Sequence, residues 1–525
     1  MILELERRSG EDPLSWDRAA CENLCALALA LREGALAART VREAVRRDRA
    51  EGALWRARER LEAWSQLTKG RPAAERIEVQ RALGEVQGSL GDPSGAAESL
   101  AAALNTRSPE LGPAARAELH LARTQHLLRI GDAKAAGEAV ERAAAAHSRV
   151  ADEASGPGAE TLGWRIRSFG IQVALKGGER ARAAELAEQV LSESPPARVR
   201  ASVQNLRGLA LLHLGLLDQA ETSFREALES CQALGLAAGV SACLSNLALR
   251  ADHSGQHEAA VALHLQALDE ARRAKLPAAV ATAEANLGNL ANRRGRLEEA
   301  NTRYRASLED ALRRGDEEAL CLALCALSDV ARARGEAASA LRQAERAGAF
   351  ARGLPRCQAL VAANRAESLL VLERLGEARK AATLARELRE RLGEPARSAR
   401  TAALQVRIEL RAGDLPAAGR AFEVAEGALA EPSASETGRE IHPEARAWIE
   451  AVRAEFELAK GKFEAAAEAG ETAQGLAERS GAIAIASWAS SMSWPRTFSI
   501  RSPCGSTTPK PILFLMSWSI RDSKN

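Results

Sequence analysis

The chain is poor in aromatic residues. Phe, Trp and Tyr make up 3% of its 525 residues, and there is a single tyrosine. A globular domain of this length would fill its core with more rings. Alanine and leucine must do the packing instead, which suits close helix-on-helix contact and argues against a sandwich or barrel. An excess of one charge is also missing: 72 basic and 70 acidic side chains leave +2. That balance gives no global field for nucleic acid or a membrane surface, and neither is expected as a direct partner. Basic runs such as Arg46-Arg47-Asp48-Arg49 have acids nearby and read as solvated helix faces.

Cysteine chemistry is sparse as well. Eight cysteines in this length make no disulfide framework, and no Cys-x-x-Cys pair exists. Cys21/Cys25 and Cys321/Cys325 are each one helical turn apart beside leucine and alanine, and read as small buried packing residues. No metal site is expected. His253 and His257 are four apart, but Gly255 lies between them at a turn, which puts them on different helices. No apolar run approaches the ~20 residues that cross a bilayer. The start MILELERRSG reaches charge within four residues, so no signal peptide is read and a cytoplasmic protein is expected. The phosphate loop, Gly-x-Ser-x-Gly, His-Glu-x-x-His and kinase signatures are all absent. Glu298-Glu299 and Glu317-Glu318 are adjacent pairs, which on a helix point to different faces and do not converge on a substrate. The expectation is a protein that is not an enzyme and needs no cofactor.

What the chain does have is a period. Gly215, Gly255, Gly295 and Gly335 lie 40 residues apart. Five residues after each comes Ala220, Ala260, Ala300 or Ala340. Seven before comes Gly208, Ala248, Gly288 or Ser328. Nine after come Phe224, His264, Tyr304 and Ala344, with His264 read as a packing residue in an aromatic's place. A fixed period of this length marks a stacked repeat. In the copy around Gly295, Ala279, Ala283, Leu287 and Leu290 recur at three- and four-residue steps, so this segment is an amphipathic helix. Arg294-Gly295-Arg296 breaks it. A second helix carries Ala300, Tyr304, Leu308 and Leu312 on one face. The unit is a helical hairpin in which Gly288 and Ala300 allow close approach, with Tyr304 filling the gap toward the next hairpin.

The pattern resembles the tetratricopeptide repeat family, most clearly in NLGNLANRRGRLEEANTRYRASL (residues 286–308) and NLRGLALLHLGLLDQAETSFREAL (residues 205–228). The family's usual unit is shorter than this 40-residue one, and long units of this kind occur in bacterial signalling proteins. The resemblance implies an all-α solenoid of stacked hairpins wound into a right-handed superhelix, whose first helices line a concave groove that clasps a peptide.

The register extends both ways. Gly178, Gly131 and Gly91 read as upstream turns, with Gly34 marking a degenerate first hairpin; Gly376, Gly413 and Gly461 read as downstream turns. Ten or eleven hairpins follow. Segments 105–113, 151–160 and 430–443 read as loops. The expected organisation is degenerate hairpins over 1–150, a core array over 160–428, a C-terminal hairpin region over 444–485, and a non-repeat tail over 486–525, disordered or out of frame.

Candidate groove residues are Asn205, Asn246, Asn286, Asn289 and Asn292, with Arg293 and Arg332. Asn286, Asn289 and Arg293 share one side of a helical wheel. Asn246 and Asn286 hold the same register in adjacent copies, while Asn205 is displaced by one. Asparagine offers a peptide backbone both donor and acceptor; arginine would add carboxylate or phosphate recognition. The function expected is a non-catalytic interaction scaffold for a peptide or protein partner. The alternative is a sensory or regulatory arm of a bacterial signalling system, controlling a kinase or ATPase-linked regulator whose effector domain is not in this chain.

Overall fold

The computed structural model describes residues 22–23, 25–26, 28–29, 34–51, 53–68, 70–108, 111–153, 157–430 and 443–479. The expected tail, 486–525, lies outside the described residues. Among them are twenty-two helices, Gly34–Ala50 through Phe463–Arg479, and no strand. Each helix packs chiefly on its sequence neighbour, giving eleven antiparallel hairpins in one all-α solenoid. The segment 151–160 is less of a loop than its Gly and Pro suggest. The helix Ala133–Glu153 runs into it, and Pro157 opens the next helix, Pro157–Lys176. Proline is well placed there, because a first-turn N–H has no intrahelical partner to lose.

The backbone of the central array repeats at half the period visible in the sequence. Gly215, Gly255, Gly295 and Gly335 all take positive φ, between 71° and 80°. So do Gly235 (65°), Lys275 (53°) and Gly315 (65°), which end the second helices. Each left-handed residue closes a helix in the same way. The N–H one residue beyond it bonds back to a carbonyl in the last turn, as from Leu216 to Leu211 at 3.0 Å and from Leu276 to Ala271 at 2.9 Å. The helices between these stops are 17 or 18 residues long, 17 in Ala237–His253, His257–Arg273 and Pro277–Arg293 and 18 in Leu297–Arg314. The repeating unit is therefore two such helices and two short turns of equal length. One assigned turn is corrected. Gly376 sits inside the helix Leu375–Arg391, and the left-handed residue of that hairpin is Glu373, at φ 58°. Gly34 likewise opens a helix rather than a turn.

Inside each hairpin the small residue and the aromatic trade volume. A Cβ on Gly208 would lie 2.5 Å from the Phe224 ring, and one on Gly288 2.7 Å from the Tyr304 ring. Tyr304 thus first fills the space left by Gly288 of its own hairpin, and then meets Leu327 and Val330 of the next. Ala248, which does carry a Cβ, belongs to the copy with the smaller imidazole of His264. Where Ala344 replaces the ring, Ser328 reaches the neighbouring backbone and donates to the Ala340 carbonyl at 2.8 Å. Alanines at the crossing, Ala220, Ala260, Ala300 and Ala340, are fully buried. Packing at this density tolerates neither a missing nor an added methylene without cost.

The solenoid is curved, and its turns touch. Successive first helices, from Ala197–His213 to Pro355–Val371, pack on one another as well as on their hairpin partners; successive second helices have no comparable contact. The first helices therefore lie on the inner side. The hairpin turns at Gly91 and Gly131 meet the connections that follow later hairpins. A Cβ on Gly91 would sit 2.7 Å from the Glu317 amide nitrogen, and one on Gly131 2.8 Å from Arg356 Nε. Arg129 reaches Glu318, 189 residues away, at 3.1 Å and also donates to the Gly88 carbonyl at 3.1 Å. This seam joins points about five and a half units apart. It stacks the top of one superhelical turn on the base of the next, so the rise per turn is about one helix length, ~25 Å. The repeats between Gly178 and Gly315 form the arc that the seam closes.

The volume trade makes a direct prediction. Gly288→Ala should lower stability by about 1–3 kcal/mol in thermal or urea unfolding. Adding Tyr304→His, which recreates the Ala248/His264 pairing, should recover a good part of that loss. A double variant no more stable than Gly288→Ala alone would contradict it.

Candidate functional site

The inner face is set by counting back from each left-handed residue. Nine residues before it stand Asn246, Asn286 and Asn364, the last found only by counting from Glu373. Asn246 Nδ2 donates to Asn205 Oδ1 at 2.8 Å. Asn364 Nδ2 donates to the Cys325 carbonyl at 2.9 Å. Asn205 and Cys325 occupy the same position in the preceding unit, ten before the turn glycine, so the one-residue displacement of Asn205 is what lets it accept from Asn246. These two amides fasten neighbouring first helices together. Asn286 is in the same register, yet makes no side-chain hydrogen bond with any described residue.

Asn286 instead lines a cavity of about 310 Å³ together with Asn289, Asn292 and Arg293. The cavity spans three first helices, Ala237–His253, Pro277–Arg293 and Glu317–Ala333. Leu249 and Asp252 form one wall, Ala326 and Asp329 the other, and Leu290 an apolar patch between them. Tyr304 and His264 enter from the second helices. Tyr304 donates its hydroxyl to Asn289 Oδ1 at 2.7 Å. Burial, aided by the negative charge of Asp329, raises its pKa and keeps it a donor. His264 is 3% exposed and its Nδ1 has no hydrogen-bond partner among the described residues. Burial pushes its pKa down to about 4, so the ring is neutral at pH 7. Four of the seven residues expected from the sequence thus meet in one place. Asn205 and Asn246 lie further along the same face, and Arg332 one unit on. The sequence showed no role for Asp252, Asp329 or His264 beyond packing and solvation; the signal present was their position three, six and nine residues from a turn glycine.

The two arginines are engaged in cross-repeat ion pairs. Arg293 bonds Asp252 of the preceding unit, whose other carboxylate oxygen meets His257 Nδ1 at 2.9 Å. Arg332 sits between Asp329 at 3.3 Å and Glu367 of the following unit at 2.8 Å, and Arg400 approaches Glu367 at 3.8 Å. Burial raises the pKa of Glu367, but the arginines around it outweigh this and hold it below the usual carboxylate range. Burial and the charge of Glu367 raise Asp329 despite Arg332. These chains of alternating charge run along the inner face and tie first helix to first helix.

Elsewhere the chemistry is that of packing. Cys321, Cys325 and Cys357 lie in one apolar cluster with Leu324 and Leu354. Burial pushes the Cys243 thiol up to about 12, far from a reactive thiolate. His253 ends one helix and His257 opens the next. Among the described residues no group of His, Cys, Asp and Glu is placed to hold a metal, and no helix is long and apolar enough to cross a membrane.

His264 gives the site a pH signature. Its folded pKa of about 4 lies below the ~6.5 of an unfolded chain, so the unfolded state binds the extra proton between these values. The stability gained by keeping the ring neutral is complete above pH ~6.5 and is lost as pH falls toward 4, by up to about 2–3 kcal/mol. Half-buried His120 and His126, also pushed down to about 4 by burial and neighbouring arginines, contribute to the same slope. The variant Ala248→Gly/His264→Phe, which reproduces the Gly208/Phe224 pair, should show a shallower fall in thermal midpoint between pH 7 and 4.5. Equal slopes would mean that His264 titrates normally.

Residues 199–273, two complete hairpins, match the family model described as tetratricopeptide repeat. No curated protein sequence matches the chain. Solved structures that align with the chain include a Rap protein complexed with competence and sporulation factor (14% identity, 70% of this chain and 100% of that one, TM-score 0.49). They also include the Rap conjugation gene regulator of plasmid pLS20 in complex with the Phr* peptide (13%, 70% and 98%, TM-score 0.43) and yeast Tom70 (13%, 87% and 95%, TM-score 0.39). None of these scores reaches 0.5, so the likeness says nothing of what this chain binds. The match to the tetratricopeptide repeat covers those residues, and the same helical hairpin repeats around them in one all-α solenoid.

Proposed function

We propose that this protein is a non-catalytic scaffold that holds an extended peptide, or an extended segment of a protein partner, along the inner face of its first helices. One observation carries the reading. Asn286, Asn289 and Asn292 line a single cavity on that face, and the amides of Asn286 and Asn292 make no side-chain hydrogen bond to any described residue. Polar groups facing a cavity are costly unless water or a ligand meets them, and an extended backbone presents donors and acceptors that suit carboxamides. Catalysis would require nucleophiles, acids or bases with access to a substrate. Here the carboxylates of the face are matched to arginines and the thiols of the described cysteines are buried.

The test uses the full chain against a random linear peptide display library. Wild type should retain a defined set of sequences, and Asn246→Ala/Asn286→Ala/Asn289→Ala should lose at least about tenfold of that retention with its helicity unchanged. Retention undiminished in a fully helical triple variant would remove the groove from consideration.

A further inference from the structure

We propose that the cavity between the first helices Ala237–His253, Pro277–Arg293 and Glu317–Ala333 is a side-chain subsite selective for a carboxamide, asparagine or glutamine, on the bound peptide. This rests on the peptide reading above and adds the chemistry of one ligand residue.

The charges of the cavity exclude the alternatives. Its one lining cation, Arg293, already holds Asp252, and Asp329 holds Arg332, which in turn holds Glu367 at 2.8 Å. A carboxylate or phosphate entering here would shed water without gaining a free counter-ion and would face Asp252 and Asp329 across the cavity. An ammonium or guanidinium would have to compete with an arginine already in contact. Desolvating a charge without a new partner is unfavourable in either case.

The unmet hydrogen bonds point to what fits. His264 is almost wholly buried and lines the cavity, and its Nδ1, itself sealed from solvent, has no partner among the described residues. That nitrogen is a donor in one neutral tautomer and an acceptor in the other. Asn286 and Asn292 bring amides with no side-chain hydrogen bond to any described residue, while Asn289 has its oxygen taken by Tyr304. A carboxamide carries a donor and an acceptor in one plane. It pairs amide to amide with Asn286 through two hydrogen bonds, beside the neutral ring of His264. A hydroxyl donates and accepts at one oxygen and cannot form that paired contact, and an aliphatic group leaves both amides unmet. About 310 Å³ accommodates either carboxamide side chain.

The register supplies the comparison. Asn246 and Asn364, in the position of Asn286, spend their amides on the preceding first helix at 2.8 and 2.9 Å. At Asn286 the equivalent residue of the preceding unit is Ser245, and no such bond forms. The same side chain that clamps helices in two units is left facing the cavity in the third, above an imidazole where its neighbours carry Phe224 and Tyr304.

The experiment sequences the peptides retained from a random linear library by full-length wild type, by Ala248→Gly/His264→Phe and by Asn286→Leu. The first variant recreates the Gly208/Phe224 pair; the second changes a side chain bonded to nothing, so at least one is expected to fold, as circular dichroism will show. Wild type should enrich Asn or Gln at one peptide position. That enrichment should fall at least about fivefold in each folded variant, while preferences at other positions persist. Enrichment of acidic, basic or apolar residues there, or Asn/Gln enrichment unchanged in the variants, overturns this inference and leaves the groove reading standing. A wild type that retains no sequence above background overturns both.

Discussion

Everything in this molecule depends on a backbone constraint: one residue in the left-handed conformation between each helix of the central array and the next. It sets helix length, because each helix must end where the chain can turn back. With one helix length imposed throughout, the antiparallel partner is equally long and every unit matches the last. The position of every inner-face residue relative to its neighbour in the next unit then follows. The volume trade between Gly288 and Tyr304, the amide bridge from Asn246 to Asn205 and the ion pair from Arg293 to Asp252 all depend on units that stay in step.

The inner face shows how a repeat becomes a site. Most of its polar groups are committed to holding adjacent first helices together. Alternating charges from Asp329 through Arg332 and Glu367 to Arg400 are matched within the protein, and two of three asparagines in one register are bonded to the preceding helix. Against that background a short stretch stands apart. Around Asn286, amides and a buried imidazole nitrogen have no partner among the described residues, and a cavity opens beside the amides. On the proposed reading, binding capacity is a local lapse in self-satisfaction, positioned by the repeat.

Much of this was legible in the sequence. Glycines at a regular step, with alanine and a small residue at set distances, showed the hairpin and its stacking. The same counting placed Asn286, Asn289, Asn292 and Arg293 on one face. Where glycine was not the left-handed residue, the counting failed. Lys275 hid the half-period cadence, and Glu373 hid Asn364 while Gly376 drew the turn too far along the chain. The arginines read as available anion binders because the acids they meet, Asp252 and Glu367, belong to neighbouring units, and only stacking brings them together. His264 does stand in an aromatic's place, but its open nitrogen is a property of surroundings that the sequence does not show. The seam was wholly illegible: Arg129 and Glu318 are ordinary surface residues of two ordinary helices until the superhelix has wound through a full turn.

That winding is the central structural claim, since it fixes the curvature of the arc that carries the cavity. A Cβ on Gly353 would lie 3.1 Å from Ser94 Cβ across the seam, close to the ~3.5–4.5 Å of a disulfide. The full-length Ser94→Cys/Gly353→Cys protein should therefore form an intramolecular disulfide under mild oxidation, seen by intact mass after thiol labelling. Two more labelled thiols than the eight-cysteine wild type gives, in a protein of native helicity, would show that successive turns do not touch and that the groove is open.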